Sequence, residues 1–206
     1  MKKAKAFDTR KLVLLALLTA IVVVLQFLGA FIKFGPFSVS LVLLPIAVGA
    51  ALLGVLAGGW LGLVFGLIVL LSGDAAAFLM VDALATVVFV LLKGTLAGIA
   101  AGLVYRLLDK KNRTAAAISA AVVTPIVNTG IFAVGAFAFI VPSLNVASRN
   151  MDEAFNWVRD LDLSNPAVLI FVGFIGLNFF FELGLNLILS PTIVRLIQFG
   201  RDRRAD

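Results

Sequence analysis

The chain alternates long uncharged apolar stretches with short polar breaks, and the length of each stretch predicts the element it forms. Leu12 to Phe31 carries no charge, and a hydrocarbon core of about 30 Å takes roughly 20 helical residues to cross. The segment Lys33-Phe34-Gly35-Pro36-Phe37-Ser38 follows with Gly-Pro turn chemistry, so a first helix is expected over 11–34. From Val39 to Leu71 there is again no charge. As one helix that stretch would be about 50 Å long, too long for the core, so it must fold back. A reversal near Gly54 to Gly59 gives two short helices over 39–55 and 58–71. The polar patch Ser72-Gly73-Asp74 leads to a helix over 82–108, which the clump Asp109-Lys110-Lys111-Asn112-Arg113 ends. Two further helices are expected over 114–141 and 166–199, joined by a polar connection over 142–165. In that connection Met151, Phe155 and Val158 recur at helical spacing beside Trp157, which fits a short surface helix, either an interfacial anchor or a lid over a pocket.

Composition places this pattern in a membrane. Apolar residues make up 62% of the chain, charged ones 14%, and mean hydropathy is +1.15; a soluble domain of this kind could not cover itself with polar surface. The expected fold is an all-α integral membrane protein, one domain over 1–206 with six transmembrane helices. Its basic residues fall in three clumps: Lys2, Lys3, Lys5, Arg10 and Lys11; Arg106, Lys110, Lys111 and Arg113; and Arg195, Arg201, Arg203 and Arg204. Cytoplasmic segments collect Lys and Arg, so both termini and the middle clump are expected in the cytoplasm, with an even number of crossings between neighbouring clumps. The first apolar run lacks a clean cleavage site and reads as a retained helix rather than a signal peptide. The net charge of +6 borders apolar segments, as membrane flanks do, and nucleic acid is not expected as a partner.

The chain holds no Cys and no His. That removes disulfides, thiolate metal sites, the usual general base and the commonest metal ligand. There is also no Gly-xxxx-Gly-Lys-Ser/Thr phosphate loop, no His-Glu-xx-His and no Asp-rich phosphotransfer pattern. Neither a catalytic residue nor a metal or cofactor is expected. Small residues instead recur every fourth position, at Gly54, Gly58, Gly62 and Gly66 and at Gly94, Gly98 and Gly102. They suit close helix packing where lipid offers no hydrophobic driving force. The first series is expected to run across the turn between the second and third helices.

Polar residues within apolar spans are costly in lipid and point to a cavity or a partner. Outside the three clumps the cations are Lys33, Lys93, Arg149 and Arg159, and only Lys93 lies well inside a span. Its ammonium suits a ligand carboxylate or phosphate; an ion pair with Glu182 or snorkelling to the surface are the other outlets. Asn178, Glu182 and Asn186 form a stripe at i, i+4 and i+8 on the last helix. Glu182 could accept from a ligand or neutralise Lys93, and Asn186 reads as structural. Thr124 and Asn128 share a face of the fifth helix, where Pro125 frees the carbonyl of Ala121, and either could serve a ligand or a neighbouring helix. Asp74 and Asp82 border an outer loop, and Phe34, Phe37, Phe78, Phe89 and Phe132 are available as pocket walls or as lipid-facing rings.

The whole pattern resembles the substrate-binding S component of energy-coupling factor (ECF) vitamin transporters. The residues that carry the resemblance begin with Arg10-Lys11-Leu12-Val13-Leu14-Leu15-Ala16-Leu17-Leu18-Thr19-Ala20, then Gly35-Pro36-Phe37-Ser38-Val39-Ser40 and Leu44-Pro45-Ile46. They continue with Leu53-Gly54-Val55-Leu56-Ala57-Gly58, Gly62-Leu63-Val64-Phe65-Gly66, Leu96-Ala97-Gly98 to Tyr105, Val127-Asn128-Thr129, and Glu182 upstream of Pro191-Thr192-Ile193-Val194. The resemblance implies a bacterial cell-membrane protein that performs no chemistry. It would capture a pantothenate-like or riboflavin-like vitamin from outside, in a pocket near the outer face built partly from Asp74, Asp82, Phe34 and the outer loops. Its partners would be a transmembrane coupling protein (EcfT-type), docked on Ala16 and Ala20, and two ATP-binding subunits. A six-helix membrane scaffold without ligand would also explain the glycines, though a Lys and a Glu within apolar spans fit it less readily.

Overall fold

In the computed structural model the described residues are 9–31, 33–34, 37–38, 41–140 and 176–205. They form α1 (Thr9–Phe31), β1 (Lys33–Phe34), β2 (Phe37–Ser38), α2 (Leu43–Leu53), α3 (Val55–Leu71), α4 (Ala76–Val81), α5 (Ala83–Leu108), α6 (Arg113–Gly135) and, after one π-helical turn over Ala136–Ile140, α7 (Gly176–Ala205). Among the described residues the elements are all helical apart from the β1–β2 hairpin, in which Lys33 pairs with Ser38 and Phe34 with Phe37. The connection over 142–165, with Met151, Phe155, Trp157 and Val158, lies outside the described residues, as does the start of the helix expected from 166.

Among the described residues α1, α5, α6 and α7 are long and apolar enough to cross a membrane, while α2 and α3, with 11 and 17 residues, are shorter. The short pair expected over 39–55 and 58–71 is thus present as α2 and α3, beside four long helices. Strand pairing takes Lys33 and Phe34 out of the first helix, which ends at Phe31. Between α3 and α5 a further short helix, α4, follows the polar patch Ser72-Gly73-Asp74. Asp82 then caps α5, its Oδ1 accepting from the Ala85 N–H at 3.0 Å. Asp82→Ala is expected to destabilise α5 by about 1 kcal/mol, visible as a lower melting temperature in detergent, with Asp82→Asn close to the parent.

The reversal inside the uncharged stretch is made by one residue. Gly54 has φ 101°, its N–H closes α2 on the Ala50 carbonyl, and its own carbonyl opens α3 by accepting from Gly58. This is a backbone region that L side chains avoid. The chain folds back there, with Gly49 against Leu61 and Ala50 against Gly58.

α3 packs most extensively on α5, α5 on α6, and α7 on α6 and α2, while α1 lies on α3 and α2. The glycines explain the first contact. A Cβ on Gly58 would meet the Gly98 carbonyl, one on Gly62 the Gly94 carbonyl, and one on Gly66 the Val90 carbonyl. As α3 advances by four residues α5 recedes by four, so the two series form one antiparallel seam. The expectation that the first series crosses the turn is corrected: only Gly54 sits at the break, and Gly58, Gly62 and Gly66 all lie on α3. Such close approach replaces the missing hydrophobic drive with van der Waals contact.

Two buried clusters flank this seam. One gathers Leu18 and Val22 of α1, Leu43 and Ile46 of α2, and Leu61 and Phe65 of α3; the other gathers Val48 of α2, Tyr105 of α5, Ala116 and Ala120 of α6, and Ile193 and Ile197 of α7. α7 keeps its course through Pro191 because the Ser190 hydroxyl donates to the Leu187 carbonyl at 2.8 Å, the group that a proline at 191 deprives of its helical partner.

Candidate functional site

The alternation of the helices brings five polar or charged segments to one end of the bundle. They are the C-terminal halves of α1 and α6, the loop after α3, and the N-terminal halves of α5 and α7. Lys93 lies 10 residues into α5, roughly 15 Å along its axis. Its Nζ stands 4.8 Å from the ring centre of Phe132 on α6 and 5.7 Å from that of Phe65 on α3. Cation–π contact of this kind holds an ammonium that lipid would otherwise reject. Phe132 is itself held by Phe78 of α4, edge to face with centroids 5.1 Å apart.

Two carboxylates act on the Lys93 ammonium through space, Glu182 and Asp74. Glu182 is 1% exposed, and its Oε1 accepts from Asn178 Nδ2 at 3.2 Å. One turn further, Asn186 Nδ2 donates to the Glu182 main-chain carbonyl at 2.8 Å, while its Oδ1 has no hydrogen-bond partner among the described residues. Asp74 Oδ2 accepts from Nε2 of Gln26 on α1 at 3.0 Å. Gln26 is fully buried, and the sequence reading missed it. The rule that singled out Lys93 applied to it as well, since it is a polar side chain deep in the first apolar run.

Asn128 is 3% exposed, one turn before Phe132, and its Oδ1 has no hydrogen-bond partner among the described residues; the same holds for Thr86 Oγ1, on the Lys93 face of α5. The structure therefore sets Lys93 over Phe132 and Phe65 within electrostatic reach of Asp74 and Glu182, with Asn178 bonded to Glu182 and Asn128 one turn before Phe132. Thr124 is engaged elsewhere, its hydroxyl donating to the Ala120 carbonyl of its own helix at 2.6 Å, and Asp82 is the α5 cap. The backbone of Phe34 is in β1, but its side chain lies outside the described residues, as does that of Phe37. Phe89 packs on Gly135 and stands 5.4 Å from Phe139.

At the other end α1 presents a separate surface. Ala16 and Ala20 are exposed on its outer side, beside exposed Val13, Leu17 and Val24. An apolar cleft of about 450 Å³ flanks this ridge on one side, lined by Leu12, Leu15, Leu53, Leu56 and Trp60 with Lys11 at its edge. A second, of about 220 Å³ between α1, α2 and α7, flanks it on the other. The Trp60 indole donates to Thr19 Oγ1 at 3.2 Å and ties α3 to α1 behind the ridge.

The cluster brings together a cation, two carboxylates and amides. No curated protein matches the chain. The family described as ECF transporter, substrate-specific component, has a model that matches residues 10–194. With four long apolar helices and nearly the whole sequence matched, this multi-pass membrane protein belongs to the substrate-specific components of ECF transporters, which are transporter subunits rather than enzymes.

Proposed function

We propose that the chain captures a water-soluble vitamin, pantothenate-like or riboflavin-like, at the Lys93 cluster and delivers it through a transmembrane coupling protein driven by two separate ATP-binding subunits. The cluster faces outside in this reading, six helices make up one domain over 1–206, and both termini lie in the cytoplasm with the basic clumps. The observation that carries the proposal is the Lys93 ammonium, lodged within a span over Phe132 and Phe65, with an amide oxygen on Asn128, one turn before Phe132, that no described group satisfies. Buried polar atoms left open in this way call for a partner, which a polar ligand can supply as well as ordered water. The exposed Ala16–Ala20 ridge between two apolar clefts supports docking of a partner helix at the opposite end.

Mass spectrometry of the protein purified from membranes is expected to reveal one co-bound small molecule, and a panel of radiolabelled vitamins to contain its match. A stable protein assembly with no bound molecule, and no binding across the panel, would favour a scaffold. Lys93→Ala is expected to weaken binding at least tenfold, about 1.4 kcal/mol, while the protein still elutes as a single species. Unchanged affinity would remove Lys93 from the pocket.

A further inference from the structure

The cleft of about 450 Å³ beside α1 has a charged edge and an apolar depth, ordered along the helix axis. Lys11 stands at the edge, near the start of α1, and Leu12 and Leu15 follow it inward on the same helix. Leu53 at the end of α2, with Leu56 and Trp60 in the first two turns of α3, form the facing wall. The Trp60 indole N–H donates to Thr19 Oγ1 at 3.2 Å, so the ring is held as a wall and its polar atom is already satisfied.

The shape suits a flexible chain better than a helix. Leu12, Leu56 and Trp60 are exposed, and beside a spanning helix such as α1 an open apolar cleft faces hydrocarbon. From Lys11 to Thr19 the groove follows α1 for roughly 12 Å, whereas a spanning helix needs about 30 Å to lie along a partner. An acyl chain bends into a short groove, and filling it restores the dispersion contacts that a void forfeits.

Charge at the edge decides the head group. No acid lines the cleft among the described residues. Arg10 precedes Lys11, and the fold brings Arg106, Lys110, Lys111 and Arg113 to the same end of the bundle, with Asp109 among them. An ammonium has three N–H donors and keeps its charge when one of them is engaged. Each Lys or Arg near a bilayer surface favours anionic lipid roughly fivefold. The cleft of about 220 Å³ on the other side of α1 makes the contrast, since no charged residue lines it and it offers nothing to choose a head group.

We propose that the cleft between Lys11 and Trp60 is a site for an anionic phospholipid, its phosphate on the Lys11 ammonium and one acyl chain lying along Leu12, Leu15 and Leu56 to the Trp60 ring. The site is at the opposite end of the bundle from Lys93 and does not depend on what that cluster binds. It places a lipid beside the Ala16–Ala20 ridge, as one flank of that surface.

The chain has two tryptophans, so Trp157→Phe leaves Trp60 as the sole indole and makes its fluorescence a reporter of what fills the cleft. The full chain carrying that change is reconstituted in phosphatidylcholine vesicles containing a minor fraction of phosphatidylglycerol with brominated acyl chains, or the same fraction of brominated phosphatidylcholine. Brominated phosphatidylglycerol is expected to quench Trp60 equally at a roughly fivefold lower mole fraction. Lys11→Gln is expected to remove most of that difference, and about 1 M salt, where the Debye length is about 3 Å, to shrink it. Salt is the second measurement should Lys11→Gln not reconstitute. Arg113→Gln, which removes an exposed cation at the same end but outside the cleft, is expected to leave the difference nearly intact. Equal quenching by the two lipids would overturn the proposal, because the cleft would then take hydrocarbon without regard to head group. A preference unmoved by Lys11→Gln, or one that falls equally with Arg113→Gln, would overturn it too by assigning the effect to the basic end as a whole. Quenching by neither lipid would place something else in the cleft, a second copy of this chain or another protein, with the same consequence.

Discussion

Gly62→Leu is expected to abolish the folded protein, with little or no monodisperse material recovered in mild detergent. A side chain at Gly62 would grow directly into the Gly94 carbonyl and the Thr95 backbone. Backbone cannot rotate aside as a flexible side chain can. Overpacking a well-fitted core costs about 1–3 kcal/mol even where side chains yield; here the two helices must separate. Separation would open the whole seam, because Gly58 against Gly98 and Gly66 against Val90 lie in register with it. The control is Gly130→Leu on α6, where an added Cβ meets nothing within 4 Å. That variant is expected to purify and melt like the parent. Equal recovery of the two variants would show that the seam is not what holds α3 to α5.

Ala16→Leu combined with Ala20→Leu is expected to reduce vitamin uptake by cells at least tenfold while leaving binding by the purified protein unchanged. Both alanines are exposed on α1, so larger apolar side chains there project outward and do not disturb the core. Against a partner helix the effect is large, since small residues at a membrane interface permit close backbone approach and branched ones prevent it. The readouts separate the two stages: retained ligand binding, lost uptake, and lost co-purification with the coupling protein. Ala115→Leu, an exposed alanine on α6 near the same end, controls for added bulk and is expected to transport normally. Uptake unaffected by the double substitution would place the docking surface elsewhere.

Lys93 and Glu182 were legible in the sequence because a charge inside an apolar run is conspicuous wherever it lies along the chain. Gln26 was less conspicuous, and its meaning depended on Asp74, 48 residues away. Thr86 and Phe65 gave no signal of their own. A threonine or a phenylalanine in an apolar helix is ordinary until the fold places its hydroxyl in a sealed interior or its ring beneath an ammonium. Asp82 shows the same effect. By position it borders an outer loop, and only the fold shows that its Oδ1 caps α5.

The sequence by itself determined the class of the protein. Its uncharged runs are too long and too apolar for water, and in lipid the backbone must satisfy its own hydrogen bonds, which leaves helices as the form for such runs. It also determined that the uncharged stretch over 39–71 turns back, because no bilayer accommodates it as one helix. Only the tertiary structure decided that the turn is the single residue Gly54, and that Lys33 and Phe34 leave the first helix for a hairpin. It alone matched the two glycine series to each other and set Lys93 between Phe132, Phe65 and two carboxylates. The division has a physical cause. Length, charge and backbone satisfaction act along one segment at a time and can be read from it, whereas close packing and the sharing of charge exist only between segments that the fold has brought together.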